Sequence, residues 1–206
     1  MASRAGSAGG DGGGDFWYDW VLPVGLGAAL SVVLVAALRP RRSPPRFAGP
    51  VVPGGRVLSR FGPRTKQGVT RPHWGIDLQA PQGTPIMAAA DGTVMGVWPD
   101  GRVQGYGNMV TIKHRDGEGS LYAHMDSIDP AMVAGAAVRA GQVVGSVGCT
   151  DSEGGFPCSY AHLHFEVLTP TPGDDRAYVG VRGGEDPYPL RADPAAWAAG
   201  VGVALV

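Results

Sequence analysis

The chain is poor in cysteine and in lysine, and it carries no excess charge of either sign. Of 206 residues only Cys149 and Cys158 are cysteines, and no Cys-x-x-Cys pair exists, which excludes a cysteine zinc cluster. The 17 basic residues against 18 acidic ones leave a net charge of −1. There is therefore no broad basic field for nucleic acid and no acidic one for a cationic partner. Lys66 and Lys113 are the only lysines. Neither stands in a turn suited to carrying a lipoyl or biotinyl group, although the Gly-rich pattern around Val138–Gly145 otherwise resembles such carriers. No His-Glu-x-x-His helix occurs, so no glutamate base of that kind is supplied.

Glycine and proline, in contrast, are plentiful, at 34 and 18 residues. Beyond the first fifty residues they separate short apolar runs, as many short strands joined by tight turns require. Asp91-Gly92, Asp100-Gly101 and Asp116-Gly117 read as turns. Thr93–Trp98, Asn108–His114 and Gln142–Val147, rich in valine and isoleucine, read as strands. The expectation is an all-β domain of antiparallel strands in a small two-sheet or barrel-sandwich arrangement with an open groove. Gly83–Val94 and Ala136–Val147 share a loose Gly, small-residue and valine pattern that would suit paired hairpins.

Residues 1–15 hold too few apolar side chains to offset the entropy of ordering them, and disorder is expected there. No ionisable residue occurs from Trp20 to Leu38, and Val21–Leu38 as a helix would be roughly 27 Å long, near the hydrocarbon thickness of a bilayer. Phe16, Trp17, Tyr18 and Trp20 crowd one edge, and Arg39, Arg41 and Arg42 mark the other. Residues 16–38 thus read as one N-terminal transmembrane helix. A cleaved signal peptide fits less well, because Asp11, Asp15 and Asp19 precede the apolar run and no small-x-small site closes it. Residues 39–53 contain five prolines and four arginines and read as an extended linker. The main domain is expected over 54–170, and 171–206 as a peripheral tail in which Asp193 caps and Pro194 starts a short helix.

The stretch most able to do chemistry is Ser159–Leu168. As a strand it sets His162, His164 and Glu166 on one face and Leu163, Phe165 and Val167 on the other. The apolar face would pack on the core, leaving two imidazoles held rigidly toward one point. His73 and Asp77 stand four residues apart and share a face in either helix or strand. His124 ends the apolar run Leu121–Ala123. A catalytic zinc takes three protein ligands and keeps a position for water, so this set has imidazoles to spare for moving protons. His114, at the Asp116-Gly117 hairpin, reads as a surface residue.

The motifs His73-Trp74-Gly75-Ile76-Asp77, Tyr122-Ala123-His124 and His162-Leu163-His164-Phe165-Glu166, in this order, resemble the lysostaphin-type (LytM-like) zinc metallopeptidases that cut peptidoglycan peptides. Ser59–Arg64, Gly105–Asn108 and Val138–Gly145 extend the resemblance, which covers roughly Gly54–Leu168. It implies a Zn²⁺ cofactor held by His73, Asp77 and His164, with His124 and His162 as the unligated catalytic pair. It also implies hydrolysis of stem or cross-bridge peptides of peptidoglycan. The rival is a peptidoglycan-binding or regulatory module that activates another hydrolase, a role filled by family members that have lost ligands; here no motif position is missing. Glu166 reads as a residue that orients a ligating imidazole. The departure is Gly148–Tyr160, longer than usual and carrying both cysteines, which are expected to form a disulfide. Such a substrate places the domain outside the cytoplasm, anchored to the membrane, even though Arg39, Arg41, Arg42 and Arg46 favour the opposite orientation.

Overall fold

In the computed structural model of the chain, the described residues are 46–66, 68–103, 105–151, 158–170, 178 and 191–206. The expected disordered segment 1–15, the expected membrane helix 16–38 and residues 39–45 of the linker lie outside them. Among the described residues no helix is long and apolar enough to cross a membrane.

Thirteen strands occur among these residues. They are β1 Arg56–Ser59, β2 Gly62–Lys66, β3 Val69–His73, β4 Ile76–Gln79, β5 Pro85–Met87, β6 Gly92–Val103, β7 Gly107–His114, β8 Gly119–Ala123, β9 Met125–Ile128, β10 Ala137–Val138, β11 Val143–Val147, β12 His162–Leu168 and β13 Arg191–Ala192. One helix follows, α1 Pro194–Val201. The largest sheet runs β1-β4-β12-β8-β7-β6-β10, with β13 also on β12; β5-β11-β9 and β2-β3 form two smaller ones. The fold is therefore mostly β and antiparallel, as expected, but with three sheets where two were expected. Gly83–Val94 and Ala136–Val147 do lie side by side, β10 on β6 and β11 on β5. Asp100-Gly101 is not a free turn; it lies within β6, where pairing with β7 slips between Trp98 and Val103.

The period-two pattern of β12 has the predicted sense. Leu163, Phe165 and Val167 join Ile76, Leu78, Val94, Val110, Ile112 and Tyr122 in the main core. Because β12 lies between β4 and β8, His164 stands opposite Asp77 on one side and Ala123 on the other. Sheet register thus assembles the centre.

Two boundaries differ from the sequence reading. The end of the expected 39–53 linker does not stay outside the body: Val51 and Val52 are fully buried, and their amides donate to the carbonyls of Ala204 and Leu205 at 2.9 and 3.0 Å. Nor is the end of the 171–206 tail peripheral. Asp193 caps α1, accepting from Ala195 N at 2.8 Å, and α1 buries Trp197 against Phe165, ring centroids 6.4 Å apart. Trp197 Nε1 donates to Glu118 at 2.7 Å, and Arg46, paired with Asp116 and Glu118, lies over the Trp197 ring. Apolar residues spaced too irregularly to read as a core face are gathered there where residues 46–52 meet residues 197–205.

Candidate metal centre

Three ring and carboxylate atoms converge from three strands. His73 closes β3, Asp77 lies in β4 and His164 in β12. His73 Nε2 is 3.0 Å from Asp77 Oδ1 and 3.2 Å from His164 Nδ1, and His164 Nδ1 is 2.9 Å from the same Asp77 oxygen. All three residues are buried and form a group able to hold a metal ion.

The outer atoms of the two rings decide what the inner ones are. His73 Nδ1 faces the carbonyl of Arg60 at 2.7 Å, and a carbonyl only accepts, so the proton of the neutral ring sits on Nδ1 and the lone pair on Nε2. His164 Nε2 faces Glu166 Oε1 at 2.9 Å and donates to it, which puts the lone pair of the neutral ring on Nδ1. Two lone pairs and a carboxylate oxygen therefore point at one another from about 3 Å, an arrangement that demands a cation between them. Bonds of about 2.0–2.1 Å to a tetrahedral ion set donors about 3.3 Å apart, so the group fits zinc in both donor type and spacing. Without a metal, a proton takes that place. Burial opposes charge on His164, but hydrogen bonds to Asp77 and Glu166 outweigh it and push the imidazole up to about 9. Burial also opposes the Asp77 carboxylate, yet hydrogen bonds from His164 and His73 hold it well below the usual range.

Around this triangle the partners are specific. Arg64 Nη1 donates to Asp77 Oδ2 at 3.1 Å, turning Oδ1 inward. Glu166 is fully buried; its Oε1 also accepts from Tyr106 Oη at 2.7 Å, and its Oε2 from Arg191 Nε. Burial disfavours its charge, but the His164 hydrogen bond and the Arg191 guanidinium lower its pKa nonetheless. Burial and then the Glu166 charge raise Tyr106, which stays a neutral donor. Gly75 lets β12 approach. A Cβ there would lie 2.9 Å from His164 Cε1 and 3.0 Å from Glu166 Cγ, and closer still to the Phe165 carbonyl.

His124 and His162 stand beside the triangle, ring centroids 4.8 Å apart. His124 Nδ1 donates to the Thr150 carbonyl at 2.7 Å and His162 Nδ1 to that of Tyr160 at 2.8 Å, so each neutral ring carries its lone pair on Nε2. His162 Nε2 lies 3.7 Å from Asp77 Oδ1. Burial, then the neighbouring His164 and His162, pushes His124 down to about 3, so it is neutral at physiological pH. It joins β8 to β9 at φ 60, the only left-handed residue other than glycine among the described ones. That conformation costs on the order of 1 kcal/mol, and the His124 amide donating to Tyr106 O at 2.8 Å helps to hold it.

Every residue that the sequence singled out for the site is thus within one cluster. His114 is the correction: it is 2 % exposed, its Nδ1 donating to Asp91 O and its Nε2 accepting from Ser120 Oγ, both at 3.1 Å. Burial pushes it down to about 4. It lies inward because β7 alternates through Val110 and Ile112, both buried. Sequence reasoning missed Arg191 and Thr150, whose roles carry no local motif and arise from strand pairing and loop closure. Cys149 is disulfide-bonded, in line with the expected pair; the loop residues 152–157 lie outside the described ones.

Residues 71–176 match the family described as Peptidase family M23. Over 114 residues the chain is 42% identical to the DD-carboxypeptidase/endopeptidase Mpg of Neisseria meningitidis serogroup B, covering 54% of this chain and 24% of that protein. Over 113 residues it is 35% identical to the murein hydrolase activator NlpD of Escherichia coli K12, covering 55% and 26%. The chain therefore spans about a quarter of the length of these relatives. Among solved structures, a zinc containing peptidase from Vibrio cholerae superposes with a TM-score of 0.50 at 30% identity, over 61% of this chain and 37% of that one.

Proposed function

Because this chain belongs to peptidase family M23, we propose that it is a zinc-dependent endopeptidase that hydrolyses stem or cross-bridge peptides of bacterial peptidoglycan. The observation that carries this is the convergence of His73 Nε2, His164 Nδ1 and Asp77 Oδ1 beside two imidazoles whose lone pairs sit on Nε2. His73, Asp77 and His164 hold the metal. When bound, it supplies Lewis acidity toward the scissile carbonyl and the attacking water.

The other residues then have defined work. Arg60 O and Glu166 fix the two ligating rings in the tautomer that presents a lone pair inward. Arg64 keeps Oδ1 of Asp77 on the metal side. Of His124 and His162, both anchored at Nδ1, one accepts the proton of the attacking water at Nε2 while the other hydrogen-bonds the developing oxyanion or protonates the leaving amine. Backbone carbonyls on Nδ1 prevent either ring from turning away as its charge changes. On this reading the domain lies on the outer side of the membrane, where the substrate is.

The relative named as a hydrolase activator supports a second reading, a regulatory module for another enzyme. Its discriminator is activity of the protein alone. The test is digestion of purified peptidoglycan with mass spectrometry of the released fragments, alongside metal analysis. Zinc near one per chain with cleaved peptide bonds is expected. A zinc-loaded protein that releases nothing by itself but accelerates a second hydrolase would replace the first reading with the second.

A further inference from the structure

Charge along this chain is segregated. No Asp or Glu occurs from residue 20 to residue 76, whereas Arg56, Arg60, Arg64, Lys66 and Arg71 fall within that span, in a protein whose total charge is −1. The β2-β3 hairpin concentrates part of this charge beside the metal centre. Its register sets Gly62 opposite His73 and Arg64 opposite Arg71. Side chains two residues apart share a face of a strand, so Arg71 lies on the face of β3 that delivers His73, and Arg64 faces it from β2. The opposite face is marked by the Thr65–Thr70 hydroxyl contact at 2.8 Å.

Arg64 already reaches the centre, with its Nη1 on Asp77 Oδ2, while its side chain keeps 34% exposure. Arg71 is exposed, and among the described residues no carboxylate is paired with it. Like charges directly opposed across an antiparallel pair destabilise it. A hairpin selected for stability alone would place an acid at one of these positions. Two arginines opposed in register, one of them with its guanidinium already on the metal-ligating Asp77, are placed to form a fork for an oxyanion.

We propose that Arg64 and Arg71, opposed across the β2-β3 hairpin, receive a free carboxylate of the peptide substrate and so select stem peptides whose carboxylates are not amidated. This rests on the endopeptidase reading above and deepens it. Arg64 orients Asp77 and is the poorer probe; Arg71 touches no ligand, and Arg71→Glu removes a like-charge pair.

The experiment takes two synthetic cross-linked stem peptides, identical except that side carboxylates are free in one and carboxamides in the other. Wild type, Arg71→Gln and Arg71→Glu are compared by kcat/KM on both peptides, with thermal melting alongside. Wild type should prefer the free carboxylate about tenfold, the scale of one charged hydrogen-bonded contact. Arg71→Gln should bring the ratio near one, and Arg71→Glu should reverse it, through KM rather than kcat. Melting temperature should hold or rise in Arg71→Glu, which a merely structural role for Arg71 would not produce. If wild type cleaves neither peptide, the endopeptidase reading fails and takes this proposal with it. If it cleaves both equally, or the ratio is unmoved in Arg71→Glu, the proposal alone fails. An unmoved ratio together with lost binding to phosphatidylglycerol vesicles would assign the arginines to a membrane surface instead.

Discussion

In the metal-free protein a proton should stand in for the metal, and this can be read as stability against pH. His164 has an ordinary pKa of 6.5 and one of about 9 in the folded chain, so the folded state holds this proton more tightly than the unfolded one. Its stabilising contribution is fully present below pH 6.5 and is lost as pH rises through about 9. The size follows from the shift: about 3 kcal/mol. The depressed Asp77 describes the same interaction from its partner's side and is not added. Urea unfolding in the presence of a chelator, from pH 6.5 to 9.5, should therefore show the wild type losing stability on the order of 3 kcal/mol. Tyr106 and Tyr122 are both raised by burial and stay out of this window. In Asp77→Asn the hydrogen bond from a charged imidazole to a carboxylate is gone, burial dominates, and the slope should flatten. Adding zinc should flatten the wild-type slope, because the metal displaces the proton from the same lone pairs. Wild-type stability that is level or rising across the window, or the same fall in Asp77→Asn, would refute the reasoning.

Alanine at His73, Asp77 or His164 should abolish zinc binding and activity together, whereas alanine at His124 or His162 should leave zinc near full occupancy while kcat falls by roughly 10² to 10⁴; metal analysis and turnover on the same samples check both. His114 is held at about 4 against an ordinary 6.5, so the unfolded chain binds more protons between these values and stability drains away as pH falls through them. His114→Gln should lessen that acid loss, measured by denaturant unfolding at pH 4.5 and 6.5. Reducing the disulfide at Cys149 should cost about 2 to 3 kcal/mol, the entropy of a short closed loop, with thiol labelling of the denatured, unreduced protein expected to find no free thiol. Trp197→Ala should destabilise by about 3 to 5 kcal/mol, seen as a lower urea midpoint; no change would mean α1 is not part of the core.

Much of the site was legible because its residues lie on short motifs with strand spacing. Alternation alone set His162 and His164 on the face opposite Leu163 and Phe165, and the order of the three histidine motifs was specific enough to indicate the family. Strand runs rich in valine and isoleucine marked β6, β7 and β11 for the same local reason. What local pattern does not carry is which strands neighbour each other. That His164 stands against Asp77 is a matter of β12 pairing with β4. The inward lone pairs of His73 and His164 depend on a carbonyl at Arg60 and a carboxylate at Glu166 on their far sides. The burial of His114 against Asp91 and Ser120, and the docking of Val51 and Val52 on Ala204 and Leu205 and of Trp197 on Phe165, likewise needed separate segments of the chain to meet in space. Side-chain period is encoded within a strand, so the sequence alone determined which residues share a face. Burial, tautomer and charge are set by whatever packs on that face from distant parts of the chain, and only the tertiary structure decided those.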